Sequence, residues 1–213
     1  MRSYDSSSVI IVLMKLPILL FDAAGVIFPA NTAVGDSLRA KFKFTEEQNR
    51  ELWSNIYPAY STGYISTDQF LSKFAALMGV SVGELSQQTF TGPFEQALEP
   101  ILGMNELFQT LHSKGYQLTL LSDTSEIFAQ IIGAHGYYKP FDKKFLSCET
   151  GYLKSDSHAF SVVLKEYRVE PGDVLFIDDN PKNIAVASQL GIEGLVFTDS
   201  ASLKSTLIEK GII

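Results

Sequence analysis

The 213-residue chain is 46% hydrophobic and 19% charged, with a formal charge of −7, the balance of an ordinary globular protein. No basic run or stripe is available to neutralise a phosphate backbone, which argues against a nucleic-acid partner. The single cysteine, Cys148, rules out an intrachain disulfide and offers no zinc spacing, so a reducing, cytoplasmic setting is expected.

Val9 to Leu20 is strongly apolar but is interrupted by Lys15 and Pro17 and followed at once by Asp22. It falls short of the roughly 20 apolar residues that a membrane span needs, and no small-residue cleavage site marks it as a signal peptide. The expectation is a buried strand at Ile18 to Phe21 behind a loosely attached extension, residues 1–13, with Met14 as a possible start. Further short apolar runs follow at Leu118–Leu121, Lys144–Ser147, Val174–Ile177 and Gly194–Phe197. Their alternation with helical patterns predicts βαβ units and a doubly wound parallel sheet. Two of the helices are well punctuated, Glu106 to Ser113 before Gly115 and Pro181 to Leu190 before Gly191.

Between Ala30 and Pro100 the alternation stops and only helical patterns remain. Thr45-x-x-Gln48, Ser66-x-x-Gln69 and Ser81-x-x-Glu84 read as capping boxes. Phe70, Leu71, Phe74, Leu77 and Met78 recur at helical spacing, a core-packing stripe that ends at Gly79. A helical module is thus expected between the first and second strands.

Polar clusters sit where apolar strands end, the edge at which open α/β sheets bind ligands. Asp22, closing the first run ahead of Gly25, is either a nucleophilic carboxylate or a turn aspartate that caps local amides. Ser122-Asp123-Thr124 places a hydroxyl beside free backbone N–H groups, although Asp123-x-x-Glu126 also reads as a capping box. Lys154, in the segment Ser147 to Asp156, is either a solvated loop lysine or the cation that neutralises a carboxylate facing an anionic substrate. Asp178 and Asp179 are adjacent carboxylates, costly to gather without a shared cation, and their oxygens suit Mg²⁺.

In this order the clusters resemble the four motifs of the haloacid dehalogenase superfamily. The resemblance runs over about residues 16–200 and is carried by Ser-x-Glu-x-Gly-x-x-Lys at 147–154, FIDDNPKNI at 176–184 and YSTGYISTDQF at 60–70. It is greatest toward the subgroup that includes the N-terminal phosphatase domain of soluble epoxide hydrolase and small sugar-phosphate phosphatases. The resemblance implies an α/β, Rossmann-like core at 14–29 and 101–213 with an all-helical cap at 30–100. It implies a hydrolase, a Mg²⁺-dependent phosphatase acting on a small phosphorylated molecule, as monomer or homodimer, without nucleic-acid or membrane partners. Asp22 would be the nucleophile that forms an aspartyl-phosphate, and Lys154 would orient the phosphoryl group. Ser122, Asp123, Ala24 and Asn183 would face the substrate. Asp22, the Ala24 carbonyl, Asp178 and Asp179 would form the metal site.

The departure from the pattern is Ala24, where most phosphatases of the superfamily carry a second aspartate that protonates the leaving oxygen and then activates water. Asp123 is a candidate to compensate in part. The 2-haloacid dehalogenases and phosphonoacetaldehyde hydrolases also lack that aspartate. The former do not need magnesium and lack the paired acids present here at Asp178 and Asp179, and the latter use a cap lysine with no clear counterpart among Lys41, Lys43 and Lys73. A degenerate member that binds phosphate or a protein without turnover is the alternative from a different class. Glu47, Glu51, Tyr57 and Tyr60 are candidates for the cap face above the site. His112, His135 and His158 fall outside every motif.

Overall fold

The computed structural model describes residues 16–30 and 32–213; the expectations for residues 1–13 and Met14 lie outside them. Five strands, β1 (Ile18–Phe21), β2 (Leu118–Ser122), β3 (Lys143–Leu146), β4 (Val174–Asp178) and β5 (Glu193–Val196), form one parallel sheet. The order β3-β2-β1-β4-β5 puts β1 at the centre, and β3 to β4 is the connection that crosses from one half of the sheet to the other. Such a reversal leaves a crevice at the carboxyl ends of the middle strands, and β1 and β4 flank it.

β1, β2 and β4 are covered on both faces, which is why they read as continuous apolar runs rather than alternating ones, whereas the outer strands β3 and β5 carry exposed residues. Along β1 the side chains divide by the two-residue period of a strand. Leu19 and Phe21 join one apolar cluster, while Ile18 and Leu20 join the other. The first face packs against helices α6 (Met104–Ser113), α7 (Glu126–Ala134) and α11 (Ser200–Glu209), and the second against α9 (His158–Tyr167) and α10 (Pro181–Gln189). The short α8 (Ser147–Thr150) follows β3 directly.

All elements between β1 and β2, up to α6, are helical: α1 (Ala33–Phe42), α2 (Glu46–Glu51), α3 (Tyr57–Ser61), α4 (Thr67–Met78) and α5 (Gln87–Gln96). Thr45 with Gln48 and Ser66 with Gln69 close reciprocal capping boxes, as their spacing predicts. The box at Ser81 and Glu84 also forms, but it opens only a single 3₁₀ turn. A π turn at Leu52–Ile56 joins α2 to α3 through a bond from the Tyr57 N–H to the Leu52 carbonyl. Pro58 has no N–H to continue the ordinary i to i−4 ladder, which gives the turn a local cause. Phe70 and Phe74 pack with Tyr60 and Phe90 in an aromatic core shared by α3, α4 and α5.

Several expected boundaries shift by a residue or two. β3 begins and ends one residue earlier than its apolar run, because the Ser147 hydroxyl bonds Thr124 and Ser61 and the chain turns there into α8. β5 likewise spans Glu193–Val196 rather than Gly194–Phe197, and α6 starts at Met104 instead of Glu106. The capping box proposed at Asp123 and Glu126 does not form. Ser125 is the N-cap of α7, and Asp123 turns away to accept the Lys154 N–H.

Candidate active site

Three side chains meet at the carboxyl ends of β1 and β4. Asp22 follows the last residue of β1, and Asp178 is the last residue of β4, so the pairing of Phe21 with Ile177 brings the two carboxylates side by side. Lys154 reaches between them from the loop after α8, its Nζ 2.6 Å from Asp22 Oδ1 and 2.7 Å from Asp178 Oδ2. All three are almost fully enclosed, at 6%, 2% and 0% exposure for Asp22, Lys154 and Asp178. Charges at that depth persist only when paired and hydrogen-bonded.

Asp178 is the most fully engaged of the group. Its Oδ1 accepts the Asn180 N–H at 2.7 Å, and the Asn183 amide donates to both carboxylate oxygens at 3.2 and 3.0 Å. Asn183 therefore sits behind Asp178 and fixes its orientation. Asp22 Oδ1 accepts from Lys154 and, at 2.6 Å, from the Ala23 N–H. Asp22, Asp178 and Asp179 each place a carboxylate oxygen within 4.8 Å of the others. With all three carboxylates ionised, one ammonium leaves two negative charges uncompensated.

The backbone is shaped around Asp179. Gly25 has a φ of +89°, and a Cβ there would lie 2.2 Å from Asp179 Oδ2, so no larger residue fits without moving that carboxylate. Among the described residues, no hydrogen bond reaches the Ala24 carbonyl.

Protonation follows this crowding. Burial pushes the Asp22 carboxyl up to about 7; Lys154 pulls it down and Asp178 pushes it further up. Burial lowers Lys154, but Asp22, Asp178 and Asp123 more than reverse that and hold the ammonium above its ordinary range. Asp179 is raised by burial and by Asp178, and Asp123 is raised by burial against the attraction of Lys154.

A cavity of about 390 Å³ adjoins this cluster. Ala24, Ser122 and Asp123 line it at the ends of β1 and β2, and helices α1, α3, α4 and α5 contribute its other walls with α7. Of the four residues expected on the cap face, Tyr57 and Tyr60 do line the cavity. Glu47 and Glu51 do not: Glu47 is exposed, and Glu51 accepts a bond from Asn55 along its own helix. The three histidines are exposed and none lines the cavity.

The helical insert is fastened beside the site by polar contacts that single clusters in the sequence did not reveal. Ser147 Oγ donates to the Ser61 carbonyl at 2.6 Å and accepts the Thr124 N–H at 2.9 Å, tying α3, β2 and α8 together. Gly63, with φ +71°, lets its loop approach the Cys148 carbonyl, which a Cβ would meet at 2.4 Å. The Tyr60 hydroxyl pairs with Thr67 at 2.9 Å, and Thr67 donates to Glu126 of α7 at 2.9 Å. The only forward signal for these was the Ser147 to Lys154 spacing and the 60–70 segment, both read as pattern rather than as contacts.

A buried carboxylate held by a lysine at the switch point of a parallel sheet, beneath a helical insert, defines a class of α/β hydrolase. The chain belongs to the haloacid dehalogenase-like hydrolases, whose family model matches residues 16–191. It is 28% identical over 185 residues to a sesquiterpene phosphatase of Aspergillus oryzae, covering 85% of this chain and 89% of that protein. It is also 28% identical over 152 residues to a D-ribitol-5-phosphate phosphatase of Bacteroides thetaiotaomicron, covering 66% of this chain and 70% of the other. Its fold is similar to a family enzyme of Bacteroides thetaiotaomicron solved with magnesium and inorganic phosphate. That similarity has a TM-score of 0.72 at 23% identity, over 86% of this chain and 95% of that one. The protein is therefore a phosphatase-like hydrolase. Among the described residues no helix is long and apolar enough to cross a membrane.

Proposed function

We propose that the protein is a Mg²⁺-dependent phosphatase acting on a small phosphorylated molecule, with residues 14–29 and 101–213 as its catalytic core and 30–100 as its cap. The observation that carries this reading is the buried Asp22–Lys154–Asp178 cluster with Asp179 beside it. Its all-oxygen donor set and two uncompensated negative charges suit a hard divalent cation. Asp22, Asp178, Asp179 and the Ala24 carbonyl would hold the ion. Bound there, Mg²⁺ would offset the charge that gathers between Asp22 and a phosphoryl group.

The chain's own residues account for the remaining steps. Asp22 attacks the phosphorus, the bond to the leaving oxygen breaks, and an aspartyl-phosphate forms. Lys154 holds Asp22 Oδ1, which leaves Oδ2 without a described hydrogen bond to act as the nucleophile. Ser122 and the N–H groups at its strand end take the phosphoryl oxygens. Water then cleaves the acyl phosphate, releasing phosphate and restoring Asp22.

The proton for the leaving oxygen is assigned to Asp123. It is the sole carboxyl among the described residues lining the cavity, and burial raises its pKa above the ordinary carboxylate value, the direction a proton donor needs. Its Oδ1 accepts the Lys154 N–H, leaving Oδ2 to carry the proton. The same group, once ionised, can take a proton from the attacking water. This assigns to Asp123 the work that Ala24 cannot do.

The test is Mg²⁺-dependent phosphate release from p-nitrophenyl phosphate, with Asp22→Asn as the blank. Release that needs the metal and disappears in the variant supports the reading. No release above the blank overturns it and leaves a binding protein on a hydrolase fold. The two curated relatives act, by name, on a polyol phosphate and on a sesquiterpene phosphate, so they leave the organic group open.

A further inference from the structure

The cavity beside Ala24 is chemically one-sided. Phe28, Leu38, Trp53, Phe90, Phe94 and Phe128 contribute to its wall, and Arg39 is its sole cationic side chain among the described residues. Most of the polar groups on that wall are already engaged, the buried Trp53 Nε1 being an unpartnered exception. Tyr60 pairs with Thr67, which donates on to Glu126, and Thr124 donates to the Ser125 carbonyl. Thr32 donates to Asp36, and Arg39 lies 3.4 Å from the same carboxylate and bonds Asn49.

A sugar or polyol entering this space would give up water at every hydroxyl and find few free partners, a costly exchange. A hydrocarbon group gains from the same wall by leaving water. The methyl group of Ala24 extends the apolar lining to within two residues of Asp22, where a second aspartate would have broken it. At roughly 30 Å³ for each water-sized group, the cavity of about 390 Å³ accepts on the order of ten carbons.

Resting on the phosphatase reading above, we propose that the substrate is an apolar phosphate monoester: a phosphorylated alcohol whose hydrocarbon body lies in this cavity, with its phosphoryl group at Asp22. Specificity then comes from area buried against the helical insert rather than from hydrogen bonds to the organic group.

A series of linear alkyl monophosphates from ethyl to decyl, kept below micelle-forming concentrations, tests this with the full chain and Mg²⁺. Each added methylene is expected to raise kcat/KM roughly fourfold, levelling once the cavity is filled, and ribitol 5-phosphate should fall at least about 100-fold below decyl phosphate. A flat series, or preference for the polyol ester, in an enzyme that still hydrolyses p-nitrophenyl phosphate overturns the proposal. Phe94→Gln and Leu71→Gln each put a polar group on the wall, and either should lower the decyl-to-ethyl ratio about tenfold. The ratio reads specificity whatever fraction of a variant is folded.

Binding gives a second readout that does not need turnover. Trp53 is the chain's single tryptophan and lines the cavity, so its emission reports occupancy. In Asp22→Asn, decyl phosphate should shift that emission saturably while ribitol 5-phosphate leaves it unchanged. Saturable binding of the decyl ester without hydrolysis of any ester would remove the phosphatase reading and keep an apolar ligand site. No response to decyl phosphate would overturn the cavity assignment itself.

Discussion

Two neighbouring regions of this molecule are built on opposite physics. At the ends of β1 and β4, Asp22, Lys154 and Asp178 concentrate charge where almost no water reaches. One strand over, the cavity above Ala24 and Ser122 is walled by aromatic and aliphatic side chains. The first region depends on Lys154 pairing with both Asp22 and Asp178, because an unmatched buried charge is expensive. The second depends on shape and area and tolerates small changes. The protein thus sets an enclosed, charged cluster directly beside an apolar wall.

The sharpest way to break that contrast is to remove the cation from the charged region. Lys154→Met leaves Asp22 and Asp178 buried without their partner and is expected to cost about 3–5 kcal/mol of stability. Urea unfolding of the metal-free protein reads this directly. A loss under about 1 kcal/mol would mean that the carboxylates carry protons instead.

The next effect lies on the boundary between the regions. Asp123→Asn should lower turnover of an alkyl phosphate by about 10²-fold or more and that of p-nitrophenyl phosphate by much less, because a phenolate leaves without help. Adding Ala24→Asp to that variant should restore part of the alkyl activity. Equal losses on both esters would remove Asp123 from proton transfer.

Gly25→Ala probes the approach of the turn to Asp179. A methyl group at a φ of +89°, aimed at the Asp179 carboxylate, should weaken Mg²⁺ binding about 10- to 100-fold, measured by calorimetry. An unchanged affinity would place the ion away from Asp179.

A smaller effect sharpens the electrostatic side. Without metal, folded Asp22 keeps its proton up to about pH 7, whereas the unfolded carboxyl releases it near 3.8. Between those values the native state binds the extra proton, so stability from this group is full below the lower value and falls as pH rises through about 7. Mg²⁺ needs the ionised carboxylate, so the rise in Tm on adding the metal should grow from pH 5 to about 7 and then level. A metal-induced shift equal at pH 5 and pH 8 would contradict the raised carboxyl.

The smallest expected change lies in the fastening of the insert. Thr67→Val removes the link between Tyr60 and Glu126 and should cost about 1 kcal/mol. Its effect on the decyl-to-ethyl preference should exceed its effect on p-nitrophenyl phosphate turnover, since the insert forms the cavity wall.

Much of this was legible in the chain itself. The apolar runs gave all five strands to within a residue; β1, β2 and β4 read most clearly because strands buried along their whole length have little alternative composition. The capping boxes at Thr45 and Ser66 formed as spaced, since a cap needs only four consecutive residues. The strand-end carboxylates were visible as polar breaks after apolar runs. The Asp123 to Glu126 box failed for the complementary reason: a residue 31 positions away, Lys154, offered Asp123 a different partner.

The sequence by itself therefore determined the elements, their parallel sheet and the identity of the charged groups, because those follow from periodicity and local bonding. Only the tertiary structure decided what each charge faces and what the insert encloses. The Lys154 bridge, the Ser147 link to Ser61, the close approach of Gly25 to Asp179 and the apolar cavity all join segments distant in the chain. Their energies come from burial and pairing across that distance, which no local pattern encodes.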